Sequence, residues 1–219
     1  MNRKRTPSVL YTVGSMIFGM TTQDLVTYIV SILIGMTVHE AMHAWVGYKL
    51  GDTTALDQGR ISLNPLRHID PLTSVALPIL TLVLFHAPIL AAKPVPFNPA
   101  RLKFDEFGAA LVAAAGPFSN LLLAIIAAFL DRLTPVGSTS EHMLGIFIIL
   151  NVALFVFNMI PIPPLDGSRV LYAFAPRPLQ ELMEQLEPIG LFVIFGLVLL
   201  GGANGWLGNL NDWVLNLLP

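Results

Sequence analysis

Apolar residues in this chain come in long blocks separated by short polar ones. The first block runs from Asp24 to Leu50, with Asp24 placed to cap a helix and Gly51 to end it. Residues 107–130 form a second uninterrupted block, and residues 143–160 a third, somewhat shorter one. Blocks of this length predict helices able to cross the roughly 30 Å hydrocarbon core of a bilayer. Residues 71–92 are also apolar, but Pro78 and Pro88 interrupt them, which predicts a broken segment. Residues 188–202 are apolar and end in Gly201-Gly202, and residues 206–218 predict a short interfacial helix anchored by Trp206 and Trp213.

The polar intervals carry turn signals. Residues 51–70 hold Gly51-Asp52, Gln58-Gly59, Asn64-Pro65 and Asp70-Pro71, with Arg60-Ile61-Ser62-Leu63 alternating like a short strand. The prolines of residues 93–99 predict an extended segment. Pro161-Ile162-Pro163-Pro164-Leu165-Asp166-Gly167 must break the third helix. Residues 168–187 carry Arg169, Arg177, Glu181, Glu184 and Glu187 and read as water-facing.

Composition changes the picture from apolar to membrane-embedded. Charged residues make up 12% of the chain and hydrophobic ones 54%, with a mean hydropathy of +0.70. About 25% charged is usual for a soluble domain. An ordinary cytosolic enzyme is excluded, and at a net charge of −2 so is a nucleic-acid binder working through a basic face. There are no cysteines, hence no disulfide, no thiolate ligand and no thiol nucleophile. The expected architecture is a single membrane-embedded domain over residues 1–219. It is all-α and polytopic, with about five to six membrane segments, a re-entrant segment at 71–92 and short membrane-associated strands.

Against this bare background one motif stands out: His39-Glu40-Ala41-Met42-His43, inside the first apolar block. At i and i+4 both imidazoles share one helical face and can hold one Zn²⁺, while Glu40 beside them can act as general base. Zinc lowers the pKa of a bound water to roughly 7. Three ionisable groups within five positions of a spanning helix face a polar cavity or a metal by default. A third protein ligand is still required. Asp166 reads either as that ligand, aimed inward by the turn at Gly167, or as the N-cap of a helix starting near Ser168. His68, His86 and His142 are further candidates, and Glu181, Glu184 and Glu187 are rivals in a solvated segment.

Together with the H-E-x-x-H, Gly116-Pro117-Phe118-Ser119-Asn120 and Asn158-Met159-Ile160-Pro161-Ile162-Pro163-Pro164-Leu165-Asp166-Gly167 resemble the three motifs of the site-2 proteases, which are intramembrane zinc metalloproteases. Residues 59–71 and 92–99 resemble the small bacterial and archaeal branch of that family, without a PDZ or CBS domain. The resemblance implies that His39, His43 and Asp166 bind one Zn²⁺ per chain and that Glu40 is the base. The sequence departs from the family at Leu72-Thr73-Ser74 and at Leu90-Ala91, both away from the catalytic positions.

Zinc needs the histidines and Asp166 at one depth. The histidines lie in the C-terminal half of their helix and Asp166 just past the C-terminal end of residues 143–160, so an even number of crossings must separate them. Residues 107–130 and 143–160 supply two, which leaves 71–92 to dip in and return. On that topology the catalytic side holds Lys49, Arg60, Arg67, Lys93, Arg101, Lys103, Arg169 and Arg177, against Arg3, Lys4, Arg5 and Arg132 on the other. The positive-inside rule then places the active site toward the cytoplasm of the plasma membrane.

A transmembrane substrate must be unwound before it is cut, and residues 60–63 and 93–98 are candidate edges to hold it extended. Asn120 and Asn158 read either as helix–helix hydrogen bonders or as contacts to the substrate backbone. The partners expected are the lipid bilayer and a membrane protein substrate, with room for a regulatory membrane partner. A membrane zinc transporter or scaffold without hydrolysis is the competing reading, and a prenyl-protein-type protease with a downstream Glu ligand is a third.

Overall fold

The computed structural model describes residues 21–68, 96, 98–190, 192–194, 196 and 205–219. All regular structure among them is helical. Helix α1 spans Thr22–Lys49 and opens with a capping box: the Thr21 hydroxyl accepts from the Asp24 N–H, and the Asp24 carboxylate accepts from the Thr21 N–H. It stops at Gly51, whose φ of +109° lies where side chains are disfavoured. A single short turn, α2, follows at Thr54–Asp57. The long helices α3 (Asp105–Asp131) and α4 (Thr139–Asn158) come next, then α5 (Asp166–Phe174), α6 (Arg177–Leu186) and α7 (Trp206–Leu217).

Helices α1, α3 and α4 are long and apolar enough to cross a membrane. They begin and end within about a turn of the three long apolar blocks. Residues 71–92, and most of 93–98 and of 188–202, lie outside the described residues.

Helix α3 is the centre of the bundle and packs against α1, α4 and α5. Lipid is as apolar as leucine, so these helices gain little from leaving it, and close van der Waals fit has to hold them. The buried face of α3 is accordingly made of small residues: Ala110, Ala113, Gly116, Ala124, Ala127 and Ala128. Ala124, Ala127 and Ala128 meet Ile148, Val152 and Val156 of α4, and α7 adds Leu207 and Val214 to the same core. Leu122, Ile126 and Phe129 face outward. Where α1 crosses α4, Gly35 leaves so little space that a Cβ would lie 2.9 Å from Leu154 Cδ1. The expected helix over 206–218 is present, with Trp213 exposed on its outer side.

The strand expected at Arg60–Leu63 does not form. The alternation is there, but Arg60 is buried and its guanidinium donates to the carbonyl of Arg67. The Ser62 carbonyl receives the ring of His68 at 2.7 Å, and the Arg60 N–H reaches back to Ala55. The main-chain groups of Arg60 and Ser62 are thus used inside the loop.

The chain leaves α1 and returns to α3 at one point. The Lys103 N–H donates to the Leu50 carbonyl at 2.8 Å. Asp52, almost fully buried, accepts from Thr54 and from the Asn98 N–H. Burial pushes the Asp52 carboxyl up, but these hydrogen bonds outweigh it and hold its pKa below the ordinary carboxylate value. The connection therefore starts and finishes at the same end of the bundle, the end that holds the C-termini of α1 and α4. Trp45, Tyr48 and Lys49 mark that end on the outer face of α1, with the Lys49 ammonium 5.6 Å from the Trp45 ring and 5.9 Å from that of Tyr48.

Candidate metal centre

Two imidazoles one helical turn apart start the site. His39 and His43 on α1 are both buried, with ring centroids 4.6 Å apart and planes nearly perpendicular. Each ring is fixed by its Nδ1. His43 Nδ1–H donates to the Val112 carbonyl at 2.7 Å, and His39 Nδ1–H to Asn120 Oδ1 at 2.7 Å. Both partners there are acceptors, so each Nδ1 carries the proton and each Nε2 presents a lone pair.

Both lone pairs converge on Asp166. Its Oδ2 lies 3.1 Å from His39 Nε2 and 3.4 Å from His43 Nε2. Asp166 is the first residue of α5, and the preceding Leu165, not Asp166, holds the N-cap position. The turn from α4 to α5 brings Gly167 so close to the carbonyls of Met159 and Ile160 that any Cβ would overlap them. A glycine there is what lets the first turn of α5 lie on the end of α4 and aim the carboxylate at α1.

These three groups fit a zinc ion. Their donor atoms lie within 4.8 Å of one another. Tetrahedral ligation with bonds of about 2.0–2.1 Å separates ligand atoms by about 3.3 Å, which lies between the two spacings found. The wall of the site on α3 is Gly116. A Cβ at that position would fall beside His43 Nε2 and 2.6 Å from His39 Nε2, in the space an ion would use. A site with three protein ligands keeps a fourth position for water or substrate. Glu40 is buried next to the ligands on α1.

Other predicted residues lie elsewhere. His142 pairs with Asp24 at 2.6 Å, tying the start of α4 to the start of α1 at the far end of the bundle. Glu184 accepts from the Tyr172 hydroxyl, Glu187 pairs with Arg169, and Glu181 is exposed. His86 lies outside the described residues. Asn158 donates to the Leu154 carbonyl one turn back in α4, just before the turn to Asp166. Asn120 lies on α3 where α1 and α4 approach it. It is wholly buried, and its amide touches His39, Gly35 and Asn151. Sequence reasoning missed Asn151 and Gly35 as neighbours of the site.

The sequence profile of peptidase family M50 matches residues 134–201, the stretch that carries α4, Asp166, α5 and α6. Three similar proteins are named "Putative zinc metalloprotease", followed by YwhC, Rip2 or MJ0611. YwhC of Bacillus subtilis is 36% identical, over 76% of this chain and 77% of its own. The chain belongs to peptidase family M50. Rip2 of Mycolicibacterium smegmatis is 28% identical over 83% of this chain and 70% of its own, and MJ0611 of Methanocaldococcus jannaschii 31% identical over 71% and 75%. No solved structure matches the chain. With three apolar helices and this family, the site-2 proteases, the M50 chain is a membrane-embedded zinc metalloprotease.

The hydrogen bond from His39 to Asn120 leads to a measurable expectation. Partners that orient a metal-bound histidine contribute about 10–100-fold to metal affinity. Asn120→Ala should weaken zinc binding by that factor in a competition titration with a chelating dye. Affinity equal to wild type would show that the bond does not support a ligand.

Proposed function

We propose that this M50 peptidase is an intramembrane endopeptidase that cuts transmembrane or membrane-anchored proteins from the cytoplasmic face of the plasma membrane, in regulated intramembrane proteolysis. The observation that carries the reading is the convergence of His39, His43 and Asp166 beside buried Glu40, at the C-terminal ends of two apolar helices. When bound, Zn²⁺ would polarise the scissile carbonyl and acidify water. His39, His43 and Asp166 hold it. The Glu40 carboxylate takes the proton of the attacking water and returns it to the leaving amide nitrogen. Asn158, partly buried at the end of α4 just before the turn to Asp166, is our candidate for contact with the backbone of an unwound substrate. The bilayer is the second partner, and a regulatory membrane protein is a third.

The test is cleavage of one sequence in two settings. A tagged single-span protein reconstituted with the peptidase in vesicles should be cut, with the cytoplasmic product released and with cleavage stopped by a zinc chelator. The same segment flanked by the same tags but made soluble should be cut poorly. Preference for the soluble form would overturn the intramembrane reading.

A further inference from the structure

The amide of Asn120 meets three helices, and its two ends are not interchangeable. Its Nδ2 donates to the Gly35 carbonyl on α1 at 3.0 Å and to Asn151 Oδ1 on α4 at 3.1 Å. Its Oδ1 is thereby turned toward His39 Nδ1 at 2.7 Å. Asn151 is itself wholly buried, and its own Nδ2 donates to the Phe147 carbonyl one turn back at 2.9 Å, which fixes its amide with the oxygen toward Asn120. A flipped Asn120 would put its oxygen against two acceptors and an N–H against His39, and no water from lipid is at hand to relieve that.

We infer that Asn151 is a positioning residue for the metal site: by accepting from Asn120 it fixes the amide that holds His39 in its Nδ1-protonated form, with Nε2 free for the metal. The inference rests on the reading of His39 as a zinc ligand. Asn151 touches neither metal nor substrate. It lies on α4, and the ligand it governs lies on α1, so the polar relay runs across all three long helices. Gly35 makes room for it: a Cβ there would lie 3.0 Å from Asn151 Oδ1.

Zinc affinity of the full-length protein in detergent, measured by dye competition, tests this. Asn151→Leu keeps the size and removes the acceptor, and should weaken zinc binding by about 10-fold, within the range for outer partners of a ligand. Asn151→Asp, neutral in this setting, keeps an oxygen for Asn120 and an O–H for Phe147, and should bind zinc as the wild type does. In an Asn120→Ala background, Asn151→Leu should have no further effect, because the two act in series. A merely structural role would instead lower affinity equally in both backgrounds, and that result, or wild-type affinity in Asn151→Leu, would overturn the proposal. Should Asn151→Leu not fold, the ¹⁵N spectrum of histidine-labelled, metal-free wild type decides the matter: an Nε2-protonated His39 overturns it. A wild type that binds no zinc would instead sink the ligand reading itself, so the two failures are separable.

Discussion

Gly116→Ala is expected to yield a folded protein that holds no zinc and cuts nothing. The added methyl would enter the space between the two Nε2 atoms on the wall formed by α3, and both rings are held by their Nδ1 bonds to Val112 and Asn120. Neither ring can retreat without leaving a buried donor unpaired, which costs about 1–3 kcal/mol each. Alanine is meanwhile the better helix former, by about 0.5–1 kcal/mol, which offsets part of that cost. Metal analysis after dialysis should find zinc in wild type and none in the variant, with matching circular dichroism. Full zinc occupancy in Gly116→Ala would show that the ion lies elsewhere.

The second large effect separates chemistry from binding. Glu40→Gln preserves shape and sits among buried neighbours, but an amide cannot take a proton from water. Cleavage of a tagged single-span substrate should fall about 100- to 10,000-fold, the usual contribution of a general base, with zinc still bound at one per chain. Loss of zinc along with activity would make Glu40 a ligand instead. Unchanged cleavage would remove it from the mechanism and revive the transporter or scaffold reading.

Much of the site was legible because its signals are local. The histidine spacing works at helical periodicity, and the prolines and glycine around Asp166 announce a turn before any contact is known. Helix ends were less legible, since apolarity reports burial and not hydrogen bonding. The third block reads from Met143, but α4 starts at Thr139 because the Ser138 hydroxyl accepts from the Glu141 N–H and caps it. Alternation misled at Arg60–Leu63, where a buried arginine closes the loop on itself. The relay from Asn151 to His39 was invisible: an asparagine in an apolar helix says it needs a partner, but not that the partner is Asn120, on another helix.

The aromatic and lysine cluster on α1 also acts as a ruler. Trp45, Tyr48 and Lys49 are residue types that settle at the level of lipid headgroups. With a rise of 1.5 Å per residue, His43 lies about 9 Å along the axis below Lys49, and His39 about 15 Å. Water must therefore descend roughly two to three turns from the surface to reach the ligands. If the intramembrane cleavage proposed above takes place, a substrate helix entering from the same leaflet is severed at a matching depth, about six to ten residues inside its end.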